Sequence, residues 1–265
     1  MLAHWGLSPA FAALWLGQAT SQLGDAVIEV TLPVWIGLLT NSPANVAGVA
    51  VAEVLPGLVI GPVAAVWVDR WNPRQTMLVA DILRLVLVLS LAFVHGTTTL
   101  PWIYGVSFAV ATITPFGAPA KNRLLVAIVP AASIPRAQAL SQATQSLTLI
   151  AGPALGAALL LSLGPRLGAL VDSATFGVSA LALLAAPAGA RVRLVGPPRS
   201  GPGAAFQSFG HDLIEGVGVT VRDSRLRVLL FVTAVQSIVG YLWFAVDLFF
   251  VERSLHVSKE HVAFL

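Results

Sequence analysis

The sequence has 265 residues, of which 57% are hydrophobic and 10% are charged, and its mean hydropathy is +0.85. No soluble domain can bury that much apolar surface, so the composition indicates a polytopic membrane protein. The formal net charge of +3 reflects a small excess of basic residues, which we attribute to membrane topology and not to nucleic-acid binding. The sequence contains no cysteine, which excludes disulfide, iron–sulfur and thiolate chemistry.

Seven apolar runs are long enough to be membrane helices, each of which needs about 20 residues. We number these runs as spans 1 to 7, at 11–38, 45–68, 76–95, 101–119, 137–163, 166–187 and 227–250, and the start of an eighth follows at 258–265. The prediction is an all-α membrane protein in three parts: a six-helix bundle at 1–187, a cytoplasmic linker with an amphipathic helix at 188–226, and the incomplete start of a second bundle at 227–265.

Lysine and arginine predict the orientation of the chain, because they favour the cytoplasmic side of a membrane. With the N-terminus inside, eleven of them fall in inner segments and only Arg166, Arg253 and Lys259 fall in outer segments. Residues 1–10 have no basic region, so we expect a retained first helix and not a signal peptide. The richness in Ala, Gly, Pro and Arg is typical of a high-GC bacterium, so we predict a bacterial inner-membrane protein with a cytoplasmic N-terminus.

Span 1 carries a polar face at helical spacing, which includes Gln18, Gln22, Asp25 and Glu29. Ionisable groups inside a bilayer are costly and usually functional. Asp25 and Glu29 are one turn apart near the middle of the span, and two carboxylates so close resist ionising together. We therefore predict that Asp25, Glu29 and Gln22 couple protons or bind substrate. Pairing with an arginine or a backbone group inside the bundle is the alternative.

Other charged residues lie inside the remaining spans. Glu53, close to the helix-bending Pro56, is either a cavity-facing carboxylate of the same site or a buried structural group. Asp81 and Arg84 are three residues apart on span 3, which favours a local pair. Asp172 lies towards the outer end of span 6, and we predict an interfacial role for it.

The turn between spans 2 and 3 concentrates charge. A helix C-terminus carries partial negative charge, so Asp69 needs a positive partner there, whereas Arg70 and Arg74 suit that position. A solvated loop with arginines that only set topology is the alternative. In outline, the stretch from Ala65 to Arg74 resembles the loop 2–3 signature of the major facilitator superfamily, Gly-x-x-x-Asp-Arg-x-Gly-Arg-Arg. The resemblance implies that Asp69, Arg70 and Arg74 gate the cytoplasmic side.

Span 5 contains a second distinctive stretch, from Ala151 to Ala157. Pro153 is expected to kink the helix, and Gly152 and Gly156 form a small face that admits another helix at close range. Such spacing is common in membrane helices. The stretch also resembles the Gly-Pro-x-x-Gly-Gly antiporter signature of drug exporters in this superfamily, which implies a helix interface at Gly152, Pro153 and Gly156.

Three further stretches resemble the macrolide-efflux and enterobactin-exporter-like branch: 14–25, 81–84 and 171–176. The resemblance implies the fold of the superfamily and alternating-access export of a small molecule (drug, macrolide or siderophore-like) in exchange for protons. It also implies that the loop charges and span 5 contact helices 11 and 8 of a second, missing C-terminal half. The expected partners are then substrate, protons, the lipid bilayer and that half, with no cofactor and no nucleic acid.

The alternative is a truncated, non-transporting membrane protein, or an assembly partner of a split transporter. The DNA downstream of codon 265 distinguishes these from an exporter, since it either continues into helices 8–12 or stops. The sequence has no nucleophile–base set, no histidine cluster with metal-ligand spacing and no Walker loop, so we expect neither an enzyme nor a metal site.

Overall fold

A computed structural model of the chain describes residues 8–68, 71–94 and 96–185, and farther along residues 218, 221–229, 231–232, 235 and 236. The chain divides into two compact units, Met1–Gly196 and Pro197–Leu265. In the second unit Asp223 begins a short helix, with its carboxylate accepting a hydrogen bond from the amide of Arg225 at 2.8 Å. Most of the predicted linker, span 7 and the eighth span lie outside the described residues.

The described part of the first unit is helical and contains no strand. Its helices are α1 Pro9–Thr40, α2 Pro43–Val68, α3 Pro73–Leu91, α4 Leu100–Ile113, α5 Gly117–Ile128, α6 Ile134–Leu163 and α7 Pro165–Ala185. Within the described residues, five helical stretches are long and apolar enough to cross a membrane: 9–40, 44–61, 97–128, 131–162 and 165–185. Helix α3 is 19 residues long and carries three charged side chains, Arg74, Asp81 and Arg84.

The helices confirm the all-α prediction, and α1, α2, α3, α6 and α7 correspond to spans 1, 2, 3, 5 and 6. Span 4 differs from its prediction. The chain does not leave the helix near residue 119 but runs on through a 3₁₀ turn, Thr114–Phe116, into α5. The charged residues Lys121 and Arg123 belong to the second half of this long helical stretch, and their charge had indicated a loop.

Helix α1 is the central element of the bundle, and it packs against α7, α6 and α2. Its contact with α7 is antiparallel, since Gly17 lies against Ser179 and Gly24 against Asp172. A Cβ atom at Gly24 would collide with the hydroxyl oxygen of Thr175 and would lie 3.1 Å from the Cα of Asp172, so a larger residue there requires α7 or its side chains to shift. Small residues thus let the two backbones approach closely, which is how helices associate where apolar surface alone gives no preference over lipid.

Two apolar clusters fill the interior at different depths. One includes Phe11, Leu14, Val68, Met77 and Leu125. The other includes Leu32, Trp35, Val88, Ile103 and Phe176. Along α1, the residues between the two clusters include Gln18, Gln22, Asp25 and Glu29, so the polar face predicted for span 1 lies in the middle of the bundle.

Candidate functional site

An open cleft of about 390 Å³ lies among α1, α2, α3 and α4. Asp25 and Glu29 of α1 and Glu53 of α2 line it, and most of the remaining wall is aliphatic. Asp25 and Glu53 are half-buried, whereas Glu29 is exposed. The structure therefore brings together three of the four residues that the sequence assigned to proton coupling or substrate binding. Their roles stay predictions.

The fourth residue, Gln22, lies elsewhere. It lines a separate pocket of about 10 Å³ among α1, α5 and α6, together with Lys121 and Ser141. The side-chain oxygen of Gln22 is buried and has no hydrogen-bond partner among the described residues. A pocket of this volume has room for about one water molecule, so Gln22 fits a bound water better than a place in the carboxylate cleft.

Asp172 is the residue that the sequence interpretation missed. It is 1% exposed, it lines the cleft beside Asp25, and no described residue forms a hydrogen bond with its Oδ1 atom. The predicted interfacial role is wrong for this residue, because α7 packs so closely on α1 that Asp172 lies at the level of Gly24, midway along α1.

A signal for this contact exists in the sequence. Gly17, Gly24 and Thr31 are seven residues apart on one helix, and small or polar residues recur on the other at Gly168, Asp172, Thr175 and Ser179. Two such faces predict a close antiparallel pair when they are considered together.

Asp81 and Arg84 of α3 do not form the predicted local pair within hydrogen-bonding distance; both are engaged by α7. The hydroxyl of Ser179 donates to the Asp81 carboxylate at 2.7 Å and accepts from the side-chain amide of Gln18 at 3.3 Å. The guanidinium carbon of Arg84 lies 5.5 Å from the centre of the Phe176 ring, which is within range of a cation–π interaction. Polar contacts thus join α1, α7 and α3 next to the cleft.

Of the three predicted gating residues, Asp69 and Arg70 lie outside the described residues. Arg74 binds the last turn of α7: its Nε donates to the carbonyl of Leu183 and its terminal nitrogen to that of Leu184, both at 3.0 Å. A cation is favourable at a helix C-terminus, so Arg74 joins the start of α3 to the end of α7. A gating role for it stays a prediction.

Arginines bind two other helix ends in the same way. Arg123 of α5 donates to the carbonyl of Val68 at the end of α2, and Arg166 of α7 donates to the carbonyl of Val94, just after α3, at 3.1 Å. Each of these side chains adds a hydrogen bond to a backbone carbonyl at the end of a helix or just beyond it, where the usual helical donor is absent. The basic residues that predicted topology therefore also hold the bundle together.

The small-residue face of α6 packs inside its own bundle. A Cβ atom at Gly152 would lie 2.3 Å from the Cβ of Ala26, and one at Gly156 would lie 3.0 Å from the carbonyl oxygen of Val27. The resemblance implied a helix of a second half as the neighbour of this face, but the structure places α1 there. Pro153 lies within the continuous helix α6.

The described residues hold no group of three or more His, Cys, Asp or Glu side chains that could hold a metal ion. What the cleft offers instead is a set of carboxylates in a largely aliphatic wall. Such a wall accepts apolar molecules, and the carboxylates can exchange protons or bind a cationic group.

Comparison with known proteins gives the family. Residues 14–265 match the model of the Major Facilitator Superfamily. The chain is 28% identical over 239 residues to Macrolide efflux protein A of Streptococcus pyogenes, across 86% of this chain and 55% of that protein. It is 30% identical over 191 residues to Multidrug efflux pump Tap of Mycobacterium bovis, across 67% of this chain and 44% of that one. The chain thus spans about half the length of these relatives.

Proposed function

Because this chain belongs to the major facilitator superfamily, we propose that its six membrane spans are one half of a proton-coupled exporter of small molecules. The chain is a multi-pass membrane protein, with five helical stretches in its described part able to cross a bilayer. Two relatives carry efflux in their names, one for macrolides and one for multiple drugs. We extend export, and not any particular substrate, to this chain.

The observation that carries the proposal is the carboxylate-lined cleft. Its volume of about 390 Å³ falls in the range of small-molecule sites, which is about 300 to 1,000 Å³. Asp25 and Glu29 lie one helical turn apart at its edge, where a proton and a cationic substrate compete for the same oxygens. In alternating access, protonation of Asp25 from outside then releases the substrate, and loss of that proton to the cytoplasm prepares the site again.

We propose that a second bundle completes the transport path. The relatives are about twice as long as the matched region, and α2 offers a broad aliphatic surface on which Val51, Val54 and Val59 are exposed. In this arrangement the N-terminus is cytoplasmic, and Asp69, Arg70 and Arg74 form a cytoplasmic gate against the second bundle.

The test is proton movement in vesicles that contain the full-length protein. A substrate found by screening small molecules, macrolides among them, is expected to drive proton movement in wild-type vesicles. Asp25→Asn is expected to abolish it, because the amide keeps the size of the side chain but cannot carry the proton. Asp223→Asn, at an exposed carboxylate that belongs to the second compact unit, is the matched control and should behave as the wild type. Substrate-driven proton movement that survives Asp25→Asn overturns the assignment.

A further inference from the structure

A structural role in the bundle does not explain the burial of Asp172 or the hydrogen bonding of its carboxyl group. Its side chain is 1% exposed and is part of the wall of the carboxylate cleft. The Oδ1 atom is buried and has no hydrogen-bond partner in the described part of the chain, although the Thr175 side chain interacts with the same carboxyl group. A buried carboxylate oxygen without a partner is expensive, so its retention calls for a proton, a ligand or a cation that reaches it from the cleft.

The facing helix leaves room for this group. Gly24 of α1 lies against Asp172, and a Cβ atom there would lie 2.6 Å from Oδ1. Any other residue at position 24 would therefore displace the carboxyl group. The space beside Oδ1 exists because position 24 has no side chain, and Asp25 follows it directly at the cleft.

Among the described residues around Asp172, the carboxyl groups outnumber the basic side chains. Arg84 of α3 interacts electrostatically with Asp172, with Asp25 of α1 and with Asp81 of α3, and Glu29 and Glu53 line the same cleft. Asp81 accepts a hydrogen bond from Ser179. One guanidinium faces three inner carboxyl groups, so it can offset one negative charge. Uncompensated charge is costly at this depth, which favours the neutral form of the inner carboxyl groups that Arg84 does not offset.

We propose that Asp172 is a second proton-carrying site of the cleft, which exchanges its proton with Asp25 and has Arg84 as its charge partner when the proton is absent. In the exchange, the carboxylic acid of Asp172 loses a proton and the carboxylate of Asp25 gains it, so the total charge of the cleft is unchanged. The role of this proton exchange in transport rests on the proposed function. The protonation of Asp172 itself requires no transport.

Carbodiimide labelling tests this directly. Dicyclohexylcarbodiimide partitions into membranes, and a protonated carboxylic acid adds across one of its C=N bonds and then rearranges to a stable N-acylurea, with no leaving group. In membranes at neutral pH, we expect mass spectrometry to find the adduct on Asp172, and to find less of it as the pH is raised. Asp172→Asn removes the adduct from that peptide, and Asp223, which is exposed to water, is expected to remain unlabelled.

Arg84, the proposed charge partner of Asp172, allows a second measurement, the pH dependence of the labelling. Arg84→Gln removes the guanidinium that interacts with Asp172 within the described part of the chain, so the adduct on Asp172 is expected to persist to higher pH than in the wild type. A purely structural Asp172 would show no such dependence. An unlabelled Asp172 in a sample whose Asp25 is labelled overturns the proposal, as does a pH dependence of labelling that Arg84→Gln leaves unchanged.

Proton movement in the full-length protein separates this inference from the proposed function. Asp172→Asn is expected to reduce substrate-driven proton movement by about tenfold or more, as loss of a proton-transfer group does, and Asp172→Glu is expected to restore part of it. Wild-type protein that moves no protons contradicts the proposed function, and leaves the labelling result standing. Wild-type movement that Asp172→Asn does not reduce contradicts this inference alone.

Discussion

The contact between α1 and α7 and the outer surface of α2 are opposite kinds of membrane-helix surface. In the span of α7, 44% of the residues are buried, against 12% in that of α2. Glycines and hydroxyl groups face one another across the first contact, whereas aliphatic side chains such as Val51 and Val59 project from the second. Lipid can cover an aliphatic surface as well as another helix can, but it does not pack into a groove formed by glycines. The α1–α7 contact therefore determines how the bundle packs, and the outer surface of α2 is available to lipid or to a second bundle.

The largest expected effect comes from a side chain placed at Gly24, in the close contact between α1 and α7. Gly24→Val adds a Cβ that would lie 2.1 Å from Thr175 Oγ1 and 2.6 Å from Asp172 Oδ1, so α1 and α7 must separate. We expect the free energy of unfolding, measured by titration with sodium dodecyl sulfate, to fall by about 3 kcal/mol. Gly105→Val is the control, because a Cβ at that exposed glycine of α4 has no atom within 4 Å. Equal losses of stability at Gly24 and Gly105 would mean that the α1–α7 contact does not determine how the bundle packs.

An intermediate effect is expected at Arg74, where α3 joins the end of α7. Arg74→Gln removes the charge-assisted hydrogen bonds to the carbonyls of Leu183 and Leu184. Because the side chain is only half-buried, we expect a loss of about 1 kcal/mol in the same titration. Arg136→Gln, at an exposed position near the start of α6, serves as the control. Unchanged stability in Arg74→Gln would leave gating as the only role for this arginine.

The smallest effect is expected on α2. Val59 is 62% exposed, so Val59→Ala should change the free energy of unfolding of the predicted six-helix bundle, residues 1–187 expressed alone, by no more than about 0.5 kcal/mol. Val27→Ala is the comparison, because Val27 is 2% exposed on α1 and its truncation should cost about 1 to 2 kcal/mol. A large loss at Val59 in the isolated bundle would show that α2 is stabilised by contacts that its exposure does not predict.

The sequence predicts the spans well, because a run of apolar residues long enough for a bilayer has few other uses. It also predicts Asp25, Glu29 and Glu53 as a set, since a charge inside such a run is costly wherever the helix packs. The structure places these three in one cleft. The spans and the charged residues inside them can be recognised from local composition, whereas the roles of Asp25, Glu29 and Glu53 stay predictions.

The predictions that were wrong concern which helices lie next to each other and where span 4 ends. The depth of Asp172 depends on how far α7 slides along α1, and hydropathy says nothing about that register. The small face of α6 could have served any adjacent helix, and it packs on α1 at Ala26 and Val27. Span 4 was ended too early because Lys121 and Arg123 are charged, although α5 continues to Ile128 and Arg123 uses its charge on the end of α2.

The 3₁₀ turn between α4 and α5 makes one wall of the cleft pliable. Thr114 and Pro115 of this turn line the cleft together with Ala111. Proline has no amide hydrogen, so the carbonyl of Ala111, four residues earlier, lacks its usual helical donor. The helix thus has one backbone hydrogen bond fewer at this point, whereas any opening along α1 would have to separate the close glycine contacts with α7. A tilt of α4 at this turn is therefore expected to cost less than a separation of α1 from α7, so the position of α4 sets the width of the cleft.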